Sequence, residues 1–299
     1  MRIVVTGGLG RLGRSVVHEL VGRDHRVLVA DIHAGPVPAG VDLLPVDLTQ
    51  PADAYAAIAR CSADAVIHLA GIAEPFSRPE HTLFRINALG TFHVVEAALA
   101  MGVGTVVYAG SPTPIGYGSP TGWLPEYLPI DEEHSLRPWH AYSVSKLVGE
   151  EILAAAVRRS AGSLRGFTVR PCFVVTPEDW TAEYAGQGGQ TIRERLDDPD
   201  TAATSLFNYV DARDAARLIA MVLEAAPRLR NGDVFFAGAD DALAREPLSD
   251  LLPRYYPGIE PMSARLGETA PAFSTARARR DLGWTPQHSW RTELREPAS

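Results

Sequence analysis

Lysine is nearly absent from this chain of 299 residues: Lys146 is the only one, and arginine supplies the rest of the 28 basic side chains. The two residues are not interchangeable, because lysine carries a compact ammonium whereas arginine carries a planar fork of donors. The composition therefore indicates that position 146 needs an ammonium group. Tyr142 lies four residues earlier, and side chains at i and i+4 share one face of a helix.

Cysteine is equally scarce. Cys61 and Cys172 lie far apart, which excludes a disulfide framework and a CxxC metal pair. The nine histidines form no HExxH pair, so we expect no metal site. No stretch approaches the roughly 20 apolar residues of a membrane span, and the amino terminus has no signal-peptide pattern. We therefore expect a cytoplasmic protein without a membrane anchor.

Basic stretches are also missing. The formal net charge is -8 and the pI is about 5.6, so the field of the protein repels nucleic acids and anionic membranes. We expect a small-molecule substrate and no nucleic-acid partner. A hydrophobic content of 46% allows one large α/β domain with an added lobe, or two domains.

Short apolar runs alternate with helical patterns through the first half of the chain. Strands are predicted at 2–6, 26–31, 43–46, 65–70, 105–110 and 167–171. Helices are predicted at 10–20, 52–60, 79–101 and 141–160. This order favours an α/β fold with a Rossmann-type, doubly wound parallel sheet joined by right-handed crossovers.

The alternation weakens after residue 170. We expect a nucleotide-binding domain at 1–170, which includes the helix 141–160, and a smaller substrate-binding lobe at 171–299, interleaved with the core. In this second part, residues 176–204 are predicted to be mainly loop. Helices at 211–226 and 274–282 and a strand at 234–238 follow. The Pro-rich stretch 118–138 is either a lid over the site or a solvated loop.

A glycine-rich turn joins the first strand to the first helix. In TGGLGRLG, Gly7 allows a sharp turn, Gly10 lets a pyrophosphate approach the backbone, and Gly13 allows close helix packing. The free N–H groups of the first helical turn, around Arg11 and Leu12, would hold the anion. Strand, turn, helix and second strand occur in the order that a dinucleotide site requires.

Two acidic residues follow later strands. Asp31 ends the second strand, where a carboxylate accepts hydrogen bonds from a ribose and repels a 2'-phosphate, which favours NAD over NADP. Asp47 follows the third strand and is a candidate for the adenine edge or, alternatively, for a helix N-cap.

Tyr142 and Lys146 are predicted to act together on a proton. Hydride transfer at a carbinol carbon needs a general acid or base with a pKa near neutrality. An ammonium about 4 Å from a phenol supplies about 4 kcal/mol, enough to bring its pKa from about 10 to about 7. Ser111 follows the fifth strand, where ligands bind in open α/β folds, and is the candidate that orients the substrate oxygen, with Thr113 in reserve.

These features together resemble the extended short-chain dehydrogenase/reductase family, also called the NAD-dependent epimerase/dehydratases. The glycine loop, HLAG at 68–71, NALGT, the YxxxK pair and the RP pair at 170–171 fall in the family's order. The YVDARDAA segment at 209–216 and ARRDLGW at 278–284 also resemble the family. The resemblance implies a triad of Ser111, Tyr142 and Lys146, bound NAD, and a homodimer formed through the helices near 79–101 and 141–160. The expected cofactor contacts are Gly7, Gly10, Arg11, Leu12, Gly13, Asp31, Ile32, Asp47, Leu48, Leu69, Ala70, Gly71, Asn87, Tyr142, Lys146 and Pro171.

The sequence departs from the nucleotide-sugar members of this family at their substrate anchors. Those members carry Asn shortly after the RP pair, where this chain has Cys172 and Phe173. They also carry an Arg about seven residues before the later VD, which falls near Thr204 here. We expect Thr113, Cys172 and Phe173 to contact substrate. No acid pair follows Ser111, so dehydration is not expected, and HLAGI with the later IGY is similar to uronate dehydrogenases.

Three functions are compatible with this pattern. The first is an NAD-dependent oxidoreductase acting on a small polyhydroxylated or keto substrate, such as a sugar or sugar acid. The second is a nucleotide-sugar epimerase that retains NAD and holds its substrate through other arginines, such as Arg193 or Arg195. The third is a non-catalytic NAD-sensing protein, which would have no need of the Tyr142 and Lys146 pair.

Overall fold

Strands and helices alternate in the computed structural model, which describes residues 1–181 and 189–294. The strands are β1 Arg2–Thr6, β2 Arg26–Asp31, β3 Asp42–Pro45, β4 Ala65–His68, β5 Thr105–Ala109, β6 Arg165–Pro171, β7 Val174–Val175, β8 Val210–Asp211 and β9 Val234–Ala237. The helices are α1 Arg11–Gly22, α2 Pro51–Cys61, α3 Glu80–Phe84, α4 Gly90–Ala100, α5 Ala141–Arg159, α6 Ile192–Asp197, α7 Asp200–Ala203, α8 Ala212–Ala225, α9 Leu248–Tyr255, α10 Glu260–Ser263, α11 Ala276–Leu282 and α12 Trp290–Glu293.

The main sheet has seven strands in the order β3-β2-β1-β4-β5-β6-β9. The pairs from β3 through β6 are parallel, with Thr6 beside His68 in the β1–β4 pair and Ala109 beside Val169 in the β5–β6 pair. The direction of winding reverses between β1 and β4, which is the switch point where ligands bind in open α/β sheets. The predicted doubly wound parallel sheet is therefore confirmed.

Two predicted elements differ in detail. The helix expected at 79–101 is interrupted by a π-helical turn, Arg85–Leu89, between α3 and α4. The stretch 176–204, expected to be mainly loop, contains α6 and α7, and α6 begins with a capping box between Thr191 and Glu194. Residues 182–188 of that stretch lie outside the described part of the chain.

The chain divides into two compact units with interleaved segments. The first unit comprises Met1–Pro114, Pro138–Arg170 and Ala216–Val234, and the second comprises Ile115–Arg137, Pro171–Ala215 and Phe235–Ser299. The predicted division into a nucleotide-binding domain at 1–170 and a substrate-binding lobe at 171–299 stays a prediction.

Each unit has a hydrophobic core of its own. In the first, Val4, Val66 and Val106 from the sheet pack with Val95 and Leu153 from the covering helices. These strand residues are fully buried, as expected of parallel strands covered on both faces. The core of the second unit includes the large buried side chains of Trp180, Tyr209, Leu243 and Trp290.

The Pro-rich stretch 118–138 is tied into the second unit at several points. The backbone of Ile130 donates to Ala272 and accepts from Ser274, and the Trp123 indole donates to the carbonyl of Ile115. His134 is buried, and its Nε2 accepts from the Glu126 N–H. The stretch is therefore partly buried and held by hydrogen bonds, and both alternatives, a lid and a loop with no role, stay predictions.

Candidate active site

The turn after β1 has the geometry that a pyrophosphate requires. Gly7 has a φ of +69°, which L side chains rarely adopt, and a Cβ at Gly13 would lie 2.1 Å from the Gly7 carbonyl oxygen. Gly10 caps α1 without a side chain, so the first turn of this helix has no capping side chain at its N–H groups. An anion fits this helix start because both the N–H groups and the helix dipole favour negative charge.

Asp31 closes the same turn from the end of β2. Its carboxylate accepts hydrogen bonds from the N–H of Leu9 at 3.0 Å and from the N–H of His33 at 3.1 Å. Asp31 is buried, whereas Ile32 is 65% exposed. The carboxylate thus braces the glycine turn, and its place at the end of β2 fits the predicted contact with a ribose.

Asp47 makes a local turn and is not a helix cap. Its Oδ1 accepts from both the N–H and the hydroxyl of Thr49, and these bonds lower the pKa of the carboxyl below its usual value. Gln50 is the residue that caps α2. The N-cap alternative is therefore wrong, and the predicted contacts of Asp47 and Leu48 with adenine stay predictions.

Asn87 connects the loop after β4 to the helix that carries Tyr142. Its amide accepts from the N–H of Ile72 at 2.7 Å and donates to the carbonyl of Ile72 at 3.0 Å and to Ser145 Oγ at 3.2 Å. Asn87 lies in the π-helical turn, which directs it inward. Leu69, Ala70 and Gly71 are thereby held beside the switch point.

A buried polar network that the sequence reasoning missed lies under this loop. Thr6 Oγ1 is 2.7 Å from His68 Nδ1, and His68 Nε2 is 2.9 Å from Thr91 Oγ1. Thr91 donates to the Asn87 carbonyl, so its oxygen accepts from His68 Nε2–H. Burial lowers the pKa of His68 to about 3, which makes the ring neutral. The sequence signal for this network was a polar residue at the end of two otherwise apolar strands, Thr6 in β1 and His68 in β4.

Tyr142 and Lys146 lie on the buried face of α5, as predicted. Lys146 Nζ donates to the carbonyl of Ala109 at 2.9 Å and lies 5.8 Å from the centre of the Tyr142 ring and 5.3 Å from that of Tyr108. Tyr142 is 8% exposed and Lys146 is 6% exposed. The helix places both groups at the carboxyl end of β5.

Ser111 joins this pair at the end of β5. Its Oγ lies 3.0 Å from Thr113 Oγ1 and accepts from the N–H of Thr113 at 3.2 Å. A hydrogen bond from Ser111 also acts to lower the pKa of Tyr142. The three residues of the predicted triad are therefore together in the first unit, with Thr113 beside them.

The pKa of Tyr142 differs from the expectation. Burial raises it to about 12, although lowering toward neutrality was expected. The reason is that desolvation outweighs the hydrogen bond from Ser111. The Lys146 amine donates its hydrogen bond to Ala109, and burial lowers the pKa of this amine to about 8. In this state the phenol is a proton donor at neutral pH.

A buried ion pair stands one helical turn beyond Lys146. Glu150 accepts two hydrogen bonds from the Arg170 guanidinium, at 2.8 and 2.7 Å, and both side chains are almost fully buried. Gly110 leaves the space for Glu150, because a Cβ there would lie 2.9 Å from Glu150 Oε1. Glu150 acts to raise the pKa of Lys146, opposing the effect of burial. Arg170 was predicted only as part of the RP pair that includes Pro171.

The predicted substrate residues of the second unit show one unexpected contact. Cys172 is buried, and burial raises the pKa of its thiol. The N–H of Phe173 donates to Asn208 Oδ1 at 2.9 Å, and the Arg195 guanidinium lies 4.3 Å from the centre of the Phe173 ring. Thr204, at the position of the missing arginine, is exposed. Two residues predicted for different reasons, Phe173 and Arg195, thus lie together.

The described residues, 1–181 and 189–294, contain no group of three or more His, Cys, Asp or Glu residues that could hold a metal ion. Among these same residues, every helix is too short or too polar to cross a bilayer.

Replacement of Gly13 by alanine tests the glycine turn. The added Cβ would lie 2.1 Å from the Gly7 oxygen, so the turn must move away from the start of α1. We expect Gly13→Ala to weaken NADH binding by about tenfold or more, as one lost charge-assisted hydrogen bond would, measured by nicotinamide fluorescence. Gly22→Ala, in the same helix with open space around it, is the control. Equal affinity of the Gly13 variant and wild type would contradict this account.

The buried amine predicts a pH dependence of stability. Because the pKa of Lys146 falls from 10.5 to about 8 in the folded state, the unfolded chain binds the proton more tightly between these values. We expect the free energy of unfolding of wild type to rise relative to Lys146→Met across this range, by roughly 3 kcal/mol at most. Urea unfolding at several pH values measures it. A difference that does not change with pH would show that the amine titrates normally.

Comparison with known proteins identifies relatives over the whole chain. The UDP-glucose 4-epimerase of Corynebacterium glutamicum is 25% identical, over 99% of this chain and 93% of that protein. The 2-alkyl-3-oxoalkanoate reductase of Stenotrophomonas maltophilia is 27% identical, over 99% and 98%. The crystal structure of the UDP-glucose 4-epimerase of Thermotoga maritima, with UDP-glucose, covers 98% of this chain and 96% of its own, with a TM-score of 0.73 and 19% identity. This structural likeness shows the shared fold.

The sequence pattern of a known family matches residues 3–238, which include the glycine turn, the triad and the Arg170-Pro171 pair. The predicted family, its cofactor NAD and its enzymatic nature are thereby confirmed at the level of the family. The chain belongs to the NAD dependent epimerase/dehydratase family.

Proposed function

We propose that this protein is an NAD-dependent oxidoreductase that transfers a hydride at a carbinol or keto carbon of a small polyhydroxylated or keto substrate. The observation that carries the proposal is the assembly of Ser111, Tyr142 and Lys146 at the carboxyl end of β5, with the amine held by the Ala109 carbonyl. The intact, buried Tyr142 and Lys146 pair argues against a non-catalytic NAD-sensing role.

The chemistry divides between the three side chains. NAD supplies a hydride acceptor with a positively charged ring when it is bound. Ser111 donates a hydrogen bond that orients the substrate oxygen, and the Tyr142 phenol exchanges a proton with that oxygen. Lys146, whose pKa of about 8 lets it carry a proton at neutral pH, stands beside the phenol and favours its ionised form.

The substrate is proposed to be small because the second unit lacks the hydrogen-bonding side chains of the nucleotide-sugar members. Phe173 supplies a ring where an amide is usual, and Cys172 is a buried thiol. These two residues, with Thr113, would contact the substrate. A ring and a thiol cannot replace the charge-assisted hydrogen bonds that hold a diphosphate.

A nucleotide-sugar epimerase is the second candidate function. Its support is the similarity over 99% of this chain to a UDP-glucose 4-epimerase. An epimerase oxidises and then re-reduces its substrate, so it accumulates no NADH and retains its cofactor through purification. An assay of NADH absorbance with a panel of free sugars, sugar acids and small ketones separates the two functions, because net NADH formation supports the first.

Replacement of Tyr142 by phenylalanine tests the proton transfer. We expect Tyr142→Phe to lower turnover by about a hundredfold or more while NAD binding is retained, because a general acid or base contributes about this factor. Lys146→Arg should lower turnover similarly, although it keeps the positive charge. The reason is that a planar guanidinium does not replace a compact ammonium between two tyrosine rings. NADH absorbance measures the rate, and an unchanged rate in Tyr142→Phe would remove this residue from the reaction.

We infer that the protein forms a homodimer through α3, the π-helical turn and α4, with α5 beside them. Phe84, Leu89 and Phe92 are large apolar side chains that are 38%, 37% and 44% exposed. The π-helical turn adds one residue, so Phe84 and Leu89 lie about one turn apart, and Phe92 follows three residues later on the same face. Such an exposed apolar stripe is typical of an interface.

The cytoplasmic location and the absence of nucleic-acid and membrane partners stay predictions.

A charge on the exposed stripe tests the dimer. We expect wild type to have about twice the mass of the 32.2 kDa chain in light scattering coupled to size exclusion. Phe92→Glu should shift it to monomer, because a carboxylate buried in an apolar interface is strongly unfavourable. Tyr55→Glu, at a side chain 40% exposed on α2, is the matched control that should stay dimeric. A monomeric wild type would contradict the inference.

A further inference from the structure

Arg195 of the second unit is a half-buried cation held against an aromatic ring. It lies on α6, and its guanidinium stands 4.3 Å from the centre of the Phe173 ring. Its Nε is buried and has no hydrogen-bond partner within residues 1–181 and 189–294. Burial lowers the pKa of this guanidinium, although it remains charged at any ordinary pH.

The acidic residues on and beside α6 have other partners. Glu194 accepts from the N–H and the hydroxyl of Thr191, which closes the capping box. Asp197 accepts two hydrogen bonds from Arg245, and Asp198 accepts from the N–H of Asp200. In the part of the chain that the structure describes, Arg195 therefore has no carboxylate to balance its charge.

A second arginine of the same unit shows what a purely structural stack looks like. Arg291 stands over the Trp290 ring at the same distance, 4.3 Å, but its Nε is also 3.3 Å from Asp241 Oδ2. The two residues share the cation–π geometry and differ in the counter-charge. Within residues 1–181 and 189–294, Arg195 has the same stacked geometry as Arg291 but no neighbouring carboxylate.

An unbalanced, half-buried cation is unfavourable unless a ligand supplies the charge. Desolvation of a charge costs free energy that a cation–π contact offsets only in part. The ring of Phe173 covers one face of the planar guanidinium. The N–H donors of the guanidinium point outward in the plane of the group. This is the arrangement that binds a carboxylate or phosphate through two parallel hydrogen bonds.

The position of Phe173 is fixed by its backbone. Its N–H donates to Asn208 Oδ1 at 2.9 Å, and the carbonyl of Phe173 accepts from the N–H of Val210 where β7 pairs with β8. The ring is therefore a rigid platform for the guanidinium. A rigid ring reduces the entropy lost when the side chain of Arg195 binds an anion.

We propose that Arg195, stacked on Phe173, is an oxyanion site of the second unit that binds the carboxylate or phosphate group of a small molecule. The binding needs no turnover, so it is independent of the proposed oxidoreductase function. It implies that, within the class of small polyhydroxylated compounds, acids are bound in preference to their neutral counterparts.

Calorimetric titration of the NAD-bound protein tests the site directly. The probes are D-glucuronate for a carboxylate, UDP-glucose for a diphosphate, and D-glucose as the neutral counterpart of the acid. We expect one oxyanion to bind to wild type at least tenfold more tightly than D-glucose. Arg195→Gln should remove this preference, since hydrogen bonds between charged groups contribute about a factor of ten or more. The oxyanion that loses affinity identifies carboxylate or phosphate as the ligand group.

The controls separate a binding site from a structural role. Arg291→Gln removes the same type of stack from Trp290 and should leave the preference for the oxyanion intact. Arg195→Lys keeps the positive charge but lacks the planar set of donors of arginine. Its affinity for the oxyanion should therefore lie between that of Arg195→Gln and that of wild type. Circular dichroism and thermal melting show whether each variant folds, and NADH binding should match wild type in all three.

Two results would overturn the proposal. One is a wild type that binds neither oxyanion more tightly than D-glucose. The other is an Arg195→Gln protein that folds and binds the oxyanion as wild type does. Failure of the proposed oxidoreductase activity looks different: the oxyanion still binds through Arg195, but no member of the sugar and ketone panel forms NADH.

Discussion

The structure around the active site depends on one buried ammonium group. Lys146 donates to the carbonyl of Ala109 and stands close to the rings of Tyr108 and Tyr142. A guanidinium is broader than an ammonium, and it stays charged where a buried lysine can lose its proton. The composition, with a single lysine among 28 basic residues, reflects this requirement. The Glu150–Arg170 pair one turn away adds a balanced pair of charges and so leaves the ammonium as the local excess of positive charge.

The switch point of the sheet determines which residues can meet there. β1 and β4 lie side by side, so their last residues, Thr6 and His68, face the helices that carry Asn87 and Thr91. Neutral His68 connects the two strands to the π-helical turn, and Asn87 connects that turn to α5 through Ser145. The loop expected to contact NAD and the helix that carries Tyr142 are therefore parts of one hydrogen-bonded framework.

Sequence reasoning succeeded where a residue type has a strict backbone or chemical requirement. Gly7 and Gly13 were identifiable because no other residue fits their positions, and the buried parallel strands were identifiable from apolar runs. The direction of the Tyr142 pKa shift was not predictable, because it depends on how far burial outweighs the hydrogen bond from Ser111. The stack of Arg195 on Phe173 was also invisible, since 22 positions separate them and only tertiary packing joins them. The π-helical turn was missed for a similar reason, because no local pattern marks the extra residue of the turn that contains the buried Asn87.

Phe173 limits what this position of the second unit can recognise. An amide offers neutral hydrogen bonds to a sugar or nucleotide, whereas a ring offers none and can instead hold a guanidinium over its face. In the proposed oxyanion site, the recognition group is therefore Arg195, a charge on α6 that stacks on the ring. Since charge-assisted hydrogen bonds are about twice as strong as neutral ones, a single such group can hold a small anion where a ring replaces an amide.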